Sequence, residues 1–178
     1  TGGARGLGRE MALAAARNGA KLCITGSTSS KIFDQTIEDI SSITDSDNLL
    51  ACVSDVTKKP EVEGLVRQVL DRFQRIDVLV NNAGRGMRLV SEEFTAEPTK
   101  FWETDSVPWK KIIDTNINGP FLMAKAVIPS MLKTGFGKII NISTSSQTMV
   151  RQGYSPYGPS KAFIEAATRA WAVELEGT

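Results

Sequence analysis

The chain has no histidine among its 178 residues. Serine-histidine triads and histidine-based metal sites are therefore excluded, and acid–base chemistry must come from tyrosine, lysine, aspartate or glutamate. Cysteine is scarce, since only Cys23 and Cys52 are present, and both fall in short apolar runs typical of strands. We therefore expect buried, reduced thiols rather than a disulfide, which favours a reducing, cytoplasmic compartment. No metal-ligand spacing occurs either, so no metal site is expected.

An excess of charge of one sign is also missing. The net charge is +1, and lysine and arginine do not cluster. Nucleic acid and anionic membranes are therefore not expected as partners. The longest apolar runs are far too short to span a bilayer. With 41% hydrophobic and 23% charged residues, the composition predicts one soluble α/β domain with a full core.

The stretch 138–170 carries the chemistry that the composition leaves open. An apolar run at 138–142 predicts a buried strand, and a helical pattern follows it. Tyr157 and Lys161 are spaced i, i+4 and share one helix face, where an ammonium favours the phenolate. Residues 143–146, which follow the strand directly, all carry hydroxyl groups that can hydrogen-bond a substrate oxygen. The pattern predicts a phenol that acts as a general acid and base, although such a pair also occurs by chance on exposed helices.

Residues 1–8, TGGARGLG, precede an alanine-rich amphipathic segment that ends at Gly19. The glycines therefore stand at a strand-to-helix turn. Gly2, Gly6 and Gly8 allow the backbone to turn tightly and approach a pyrophosphate at the helix N-terminus, where the helix dipole favours negative charge. A simple N-cap loop is the alternative interpretation.

A carboxylate is absent from GSTSSK, the segment that follows the strand predicted over 20–25. In dinucleotide-binding folds, an aspartate or glutamate here binds the free ribose hydroxyls and selects NAD. Ser27 and Thr28 can instead hydrogen-bond a 2′-phosphate, and Arg5 supplies a nearby cation. The segment favours NADP, with NAD possible, and a flexible polar loop is the alternative interpretation.

The sequence NNAG at 81–84 follows a strand predicted over 76–80. A parallel sheet opens its ligand crevice at this end, and glycine there allows the backbone to lie against a flat cofactor. An ordinary turn is the alternative. Asp55 and Val56 likewise follow a strand predicted over 49–54, where the aspartate can also cap the next helix.

Residues 109–131 predict a long amphipathic helix broken at Asn118, Gly119 and Pro120. Glycine and proline together loosen the helical ladder and free backbone groups for water, unless the break is only a packing kink. The preceding segment, 85–108, is aperiodic and rich in aromatic residues, which either cap the core or line a substrate pocket.

Four motifs, TGGARGLG, NNAG, TNING and YGPSK, together with the hydroxyls at 143–146, make the chain resemble the short-chain dehydrogenase/reductase family. The resemblance covers essentially the whole chain. It implies a Rossmann-type doubly wound parallel sheet that binds a nicotinamide dinucleotide, an alcohol or carbonyl substrate, and a homodimer or homotetramer. Against the family's pattern, residues 1–178 are interpreted as a single domain truncated at both ends, without the first strand and the C-terminal strands.

The resemblance also implies residue roles. Tyr157 would protonate the carbonyl oxygen, Lys161 would hold the nicotinamide ribose, and Asn116 would complete the proton path. The family's serine, thirteen positions before the tyrosine, is replaced by Thr144, with a serine on either side, Ser143 and Ser145. The implied cofactor contacts are Gly2, Arg5, Gly6, Leu7, Gly8, Ser27, Thr28, Asp55, Val56, Asn82, Ala83, Gly84, Tyr157 and Lys161.

Two other functions are considered. A non-catalytic dinucleotide-binding or scaffold protein has the same fold, but Tyr157, Lys161 and Asn116 together argue against it. A methyltransferase also has a glycine loop after its first strand, but it has no use for NNAG or for a tyrosine four residues before a lysine. The sequence therefore predicts an NADP-dependent oxidoreductase that transfers hydride between a nicotinamide and an alcohol or carbonyl.

Overall fold

The computed structural model describes all 178 residues and shows alternating helices and strands. The strands are β1 (Leu22–Gly26), β2 (Leu49–Val53), β3 (Val78–Asn81) and β4 (Lys138–Asn141). The helices are α1 (Gly6–Arg17), α2 (Lys31–Ser41), α3 (Lys59–Phe73), α4 (Ser106–Ile113), α5 (Gly119–Thr134), α6 (Ser146–Met149) and α7 (Tyr157–Glu174). The chain divides into a first unit, Thr1–Ala83 with Leu122–Ile140, and a second unit, Gly84–Phe121 with Asn141–Thr178.

In the first unit, β1 and β2 pair in parallel, with Leu22 opposite Leu49 and Gly26 opposite Val53. Side chains alternate between the two faces of a strand, so Ile24 lies on the face that packs against α1 and α2. Both cysteines are free thiols, but only Cys52 is buried as the apolar strands predict, whereas Cys23 is half-buried. The buried core of this layer consists of Ala12, Leu13, Ala16, Ile24, Phe33 and Ile40.

The predicted α/β fold with parallel strands is confirmed, but the strands form two pairs, β1 with β2 and β3 with β4, rather than one continuous sheet. The residues before α1 make hydrogen bonds to both pairs. Gly3 N donates to the Thr25 carbonyl (2.8 Å), and Thr1 N donates to the Val80 carbonyl (2.7 Å).

The long helix predicted over 109–131 differs from the structure in its start and in its break. It begins as α4 at Ser106, because the Asp105 carboxylate accepts a hydrogen bond from Val107 N (2.7 Å) and caps the helix. The irregularity is a π-helical turn at Asp114–Asn118, which includes the predicted Asn118 and ends directly before Gly119 and Pro120. Proline lacks an N–H and its ring crowds the carbonyl four residues earlier, so Pro120 disturbs the turn in which the irregularity lies.

The second unit is built around α7. The contacts of α7 with α4, with the π turn and with α6 bury Ile112 and Ile164. At Gly158 the helix lies so close to α6 that an added Cβ would collide with the Met149 carbonyl oxygen. Helix α6 is therefore packed closely against the first turn of α7, which begins with Tyr157.

No helix combines the length and the apolarity that a membrane span requires.

Candidate functional site

Tyr157 and Lys161 lie one turn apart at the start of α7, as their spacing predicts. The lysine is buried, with 6% of its surface exposed, and its Nζ donates a hydrogen bond to the Ile142 carbonyl (2.7 Å). The same nitrogen lies 5.9 Å from the centre of the Tyr157 ring. Burial lowers the pKa of the Lys161 ammonium from its usual 10.5. The structure thus holds a cation beside the phenol ring.

The lysine contact is one of three that α7 makes with consecutive residues at the end of β4, from its last residue, Asn141, to Ser143. Asn141 Nδ2 donates to Thr168 Oγ1, and Ser143 Oγ donates to Glu165 Oε1, each at 2.8 Å. The Ile142 carbonyl, bound by the lysine, lies between them in the chain. We call these three contacts the strand-end clamp. Sequence reasoning missed the glutamate, although it stands one helical turn after the lysine and therefore shares its face.

The three neighbouring hydroxyls, of Ser143, Thr144 and Ser145, differ in their hydrogen-bond partners. Ser143 is bound to Glu165. Ser145 is the N-cap of α6, where its Oγ accepts from Thr148 N (3.3 Å) and bonds the Thr148 hydroxyl (2.9 Å). The half-buried Thr144 hydroxyl has no hydrogen-bond partner in the protein. Of the three, it is the one left to bind a ligand oxygen.

Asn116 lies in the π turn with 1% of its surface exposed, and its side-chain amide is fully used. Its Oδ1 accepts from Arg85 N (2.8 Å), and its Nδ2 donates to the Arg85 carbonyl and to Ser160 Oγ, both at 3.0 Å. Ser160 Oγ in turn donates to the Tyr157 carbonyl (2.6 Å). The amide therefore joins the π turn to the first turn of α7. Its role in a proton path stays a prediction.

We expect Asn116→Ala to lower the free energy of unfolding by roughly 2 to 4 kcal/mol, because buried backbone and hydroxyl groups lose their partner. Urea denaturation measures this change. The matched control is Asn118→Ala in the same π turn, where an exposed amide bonds only Asp114 (3.0 Å). It should cost less than about 1 kcal/mol. Equal costs for the two variants would contradict the structural role of Asn116.

The glycine-rich segment of the first unit forms the predicted turn before α1. Gly2 and Gly6 have positive φ angles of 64° and 56°, and an added Cβ at Gly8 would collide with the Gly2 carbonyl oxygen. Helix α1 has no side-chain cap and no acidic residue in its first turn, so its first N–H groups can bind an anion. Arg5 and Leu7 at this turn are exposed.

Asn82 of the NNAG motif is bound to this turn. Its Nδ2 donates to the Thr1 and Gly2 carbonyls, both at 3.0 Å. The backbone N–H groups of Asn82 and Ala83 donate to Thr1 Oγ1 (3.2 and 3.1 Å). The motif therefore supports the glycine turn, a role that sequence reasoning missed because the partners are about 80 residues apart.

The remaining predicted contacts lie after β1 and β2. Ser27 and Thr28 are exposed, as a ligand-binding segment requires. Asp55 Oδ1 accepts from Thr57 N (3.0 Å) and from its hydroxyl (2.8 Å), which forms a turn. The interpretation of Asp55 as the cap of the next helix is wrong, because α3 begins later, at Lys59. Val56 is buried, with 6% of its surface exposed.

The chain is similar to known proteins over its whole length. The family model described as short chain dehydrogenase matches residues 1–178. A 3-oxoacyl-[acyl-carrier-protein] reductase of Synechocystis is 35% identical, over 98% of this chain and 66% of the relative. A (2S)-[(R)-hydroxy(phenyl)methyl]succinyl-CoA dehydrogenase subunit of Thauera aromatica is also 35% identical, over 98% and 65%. The chain thus spans slightly less than two thirds of these relatives.

Solved structures agree. Levodione reductase superposes with a TM-score of 0.84 at 26% identity, covering 98% of this chain and 64% of that structure. A short-chain dehydrogenase from Streptomyces avermitilis gives a TM-score of 0.81 at 28% identity, covering 98% and 59%. The Rossmann-type fold expected from the motifs is therefore confirmed.

Proposed function

Because the chain belongs to the short-chain dehydrogenase family, we propose that the protein transfers hydride between a nicotinamide dinucleotide and an alcohol or carbonyl compound. The observation that carries the proposal is the arrangement in the second unit. Lys161 is held beside the ring of Tyr157 by the Ile142 carbonyl, and the Thr144 hydroxyl has no partner in the protein. Such an arrangement suits proton transfer to an oxygen atom.

In the reductive direction a nicotinamide held by Lys161 and by the turn before α1 would supply hydride to the carbonyl carbon. Tyr157 donates its phenolic proton to the carbonyl oxygen, and the Thr144 hydroxyl donates a hydrogen bond that orients this oxygen. An ammonium has three N–H donors, and Lys161 gives one to the Ile142 carbonyl. Its other donors are available for the ribose hydroxyls of the cofactor.

Three features of the first unit fit a dinucleotide. A side chain at Gly8 would fill the space that the turn before α1 encloses, and the first N–H groups of α1 lack a cap. Diphosphate oxygens would satisfy these donors. The Ser54 hydroxyl, directly after β2, is buried and has no hydrogen-bond partner. A buried hydroxyl without a partner is costly, so a ligand atom at this place would stabilise it.

We expect the protein to bind NADP about tenfold or more tightly than NAD, because Arg5, Ser27 and Thr28 offer charge-assisted contacts to a 2′-phosphate. Gly26→Asp should reverse this preference, since a carboxylate repels the phosphate and accepts hydrogen bonds from the ribose. The new side chain has room, because its Cβ would lie 3.4 Å from Phe33 Cδ1.

Fluorescence titration with both cofactors at fixed ionic strength measures the preference. Gly26→Asn is the neutral control of nearly equal volume and should leave NADP favoured. Arg5→Ala should weaken NADP and barely change NAD. Equal affinities of the parent for the two cofactors would contradict the electrostatic argument.

The activity itself is tested by absorbance at the reduced nicotinamide band, with a panel of ketones and alcohols. Turnover of any member supports the proposal. Cofactor binding without turnover of any member would instead favour a dinucleotide-binding protein without catalysis.

A homodimer or homotetramer is part of the proposal. In its support, α7 leaves Phe163 and Val173 exposed, and α5 leaves Phe121 and Leu132 exposed.

A further inference from the structure

A tight turn lies shortly before α7. In the sequence RQGY at 151–154, Tyr154 N donates to the Arg151 carbonyl (3.1 Å), and Gly153 has a φ of +74°. A positive φ at the third position is what a type II turn requires. An added Cβ at Gly153 would lie 2.5 Å from Pro98 Cβ, so this turn is packed against the segment before α4. The turn brings its first and last side chains together.

Those two side chains are in contact, and a row of aromatic contacts continues to the phenol. The guanidinium carbon of Arg151 lies 5.0 Å from the centre of the Tyr154 ring. Edge contacts join this ring to Tyr157, at 6.3 Å between centres, and to Phe94, at 5.7 Å. The first two distances place the Arg151 guanidinium at most about 11 Å from the centre of the Tyr157 ring. The segment 85–108, whose aromatic residues could cap the core or line a pocket, thus contributes Phe94 to a row of aromatic rings.

The charge of Arg151 has no anionic partner. The neighbouring segment carries Glu92, Glu93 and Glu97, but no ion pair of Arg151 occurs in the protein, and its guanidinium is exposed. The Arg151 side chain makes no hydrogen bond in the protein, so its N–H donors are free for a ligand. Those donors match the geometry of a carboxylate or phosphate.

We propose that Arg151 is an anion-binding subsite for the substrate, so that the protein acts on carbonyl compounds that carry a carboxylate or phosphate group a short carbon chain away from the reacting carbonyl. This inference rests on the proposed function, because Tyr157 marks the position of the carbonyl. The Tyr154 ring contacts the guanidinium, and the packed turn holds the ring in place. A neutral carbonyl compound would use the same phenol but leave this cation unpaired.

The experiment uses a homologous series of methyl-ketone carboxylic acids beginning with levulinate, each paired with its methyl ester. The acid and the ester share a carbon skeleton and differ in charge. For the best acid, the parent should show a kcat/KM about tenfold above that of the ester. Arg151→Gln should abolish this advantage and leave the ester unchanged. Arg88→Gln, which removes another exposed arginine of the second unit, is the control and should change neither.

The outcomes separate this inference from the proposed function. Turnover of the esters with no advantage for any acid, or an advantage that survives Arg151→Gln, would overturn the subsite while the hydride transfer stands. If the parent turns over neither acid nor ester, the proposed function fails for this series. Isothermal titration of the same acids then decides the subsite. Binding that Arg151→Gln weakens about tenfold supports it, and absent or unchanged binding overturns it.

Discussion

Replacing Tyr157 by phenylalanine is expected to lower kcat by roughly 10²- to 10⁴-fold, the range that a general acid contributes. The substitution keeps the ring and its edge contact with Tyr154, and it removes only the hydroxyl group that carries the proton. Lys161 should stay in place, because its hydrogen bond goes to the Ile142 carbonyl and not to the phenol. Initial rates at the reduced nicotinamide band measure the loss, and fluorescence titration should show cofactor affinity within a few-fold of the parent.

The near-ultraviolet dichroism of the Tyr157→Phe variant serves as the control for folding. It should match that of the parent apart from the missing phenol. Activity within a few-fold of the parent would remove Tyr157 as the acid and base, and the proposed mechanism with it.

Thr144→Val should lower kcat by about 10²- to 10³-fold, since it deletes one preorganised hydrogen bond to the reacting oxygen and keeps the shape of the side chain. The neighbouring serines provide matched controls. Ser145→Ala removes only the cap of a short helix, and Ser143→Ala removes one contact of the strand-end clamp. Both should cost less activity than the change at Thr144.

The same rate measurements test the choice among the three hydroxyls. If Ser143→Ala or Ser145→Ala is more damaging than Thr144→Val, the orienting hydroxyl is one position away from Thr144. The free hydroxyl of Thr144 would then have no part in the reaction.

The sequence predicts the neighbouring tyrosine and lysine on α7 because their proximity depends only on their spacing within one helix. An i, i+4 spacing places Tyr157 and Lys161 on one helix face whatever surrounds the helix. The position of the lysine nitrogen is not local, since it depends on the Ile142 carbonyl, 19 residues earlier. Sequence spacing pointed to Thr144 among three hydroxyls, but only the contacts of Ser143 and Ser145 show which hydroxyl lacks a partner.

Asn116 shows the limit of motif reasoning more sharply. Its motif predicts a catalytic residue, whereas its side chain binds partners 31 and 44 residues away in sequence. No local pattern indicates such contacts, because they depend on how the π turn and α7 pack. The break predicted at Asn118, Gly119 and Pro120 overlaps the π turn at Asn118, and the irregularity extends back to Asp114 because a proline disturbs the helical turn that precedes it.

The contact between Gly158 and the Met149 carbonyl limits which sequences can occupy the YGPSK motif. A backbone oxygen cannot rotate away as a flexible side chain does, so every side chain at position 158 would have to displace α6. The next residue, Pro159, is exposed and meets no such barrier. Substitution tolerance therefore changes abruptly between adjacent positions of one motif, since the glycine is restricted by the available volume and the proline is not.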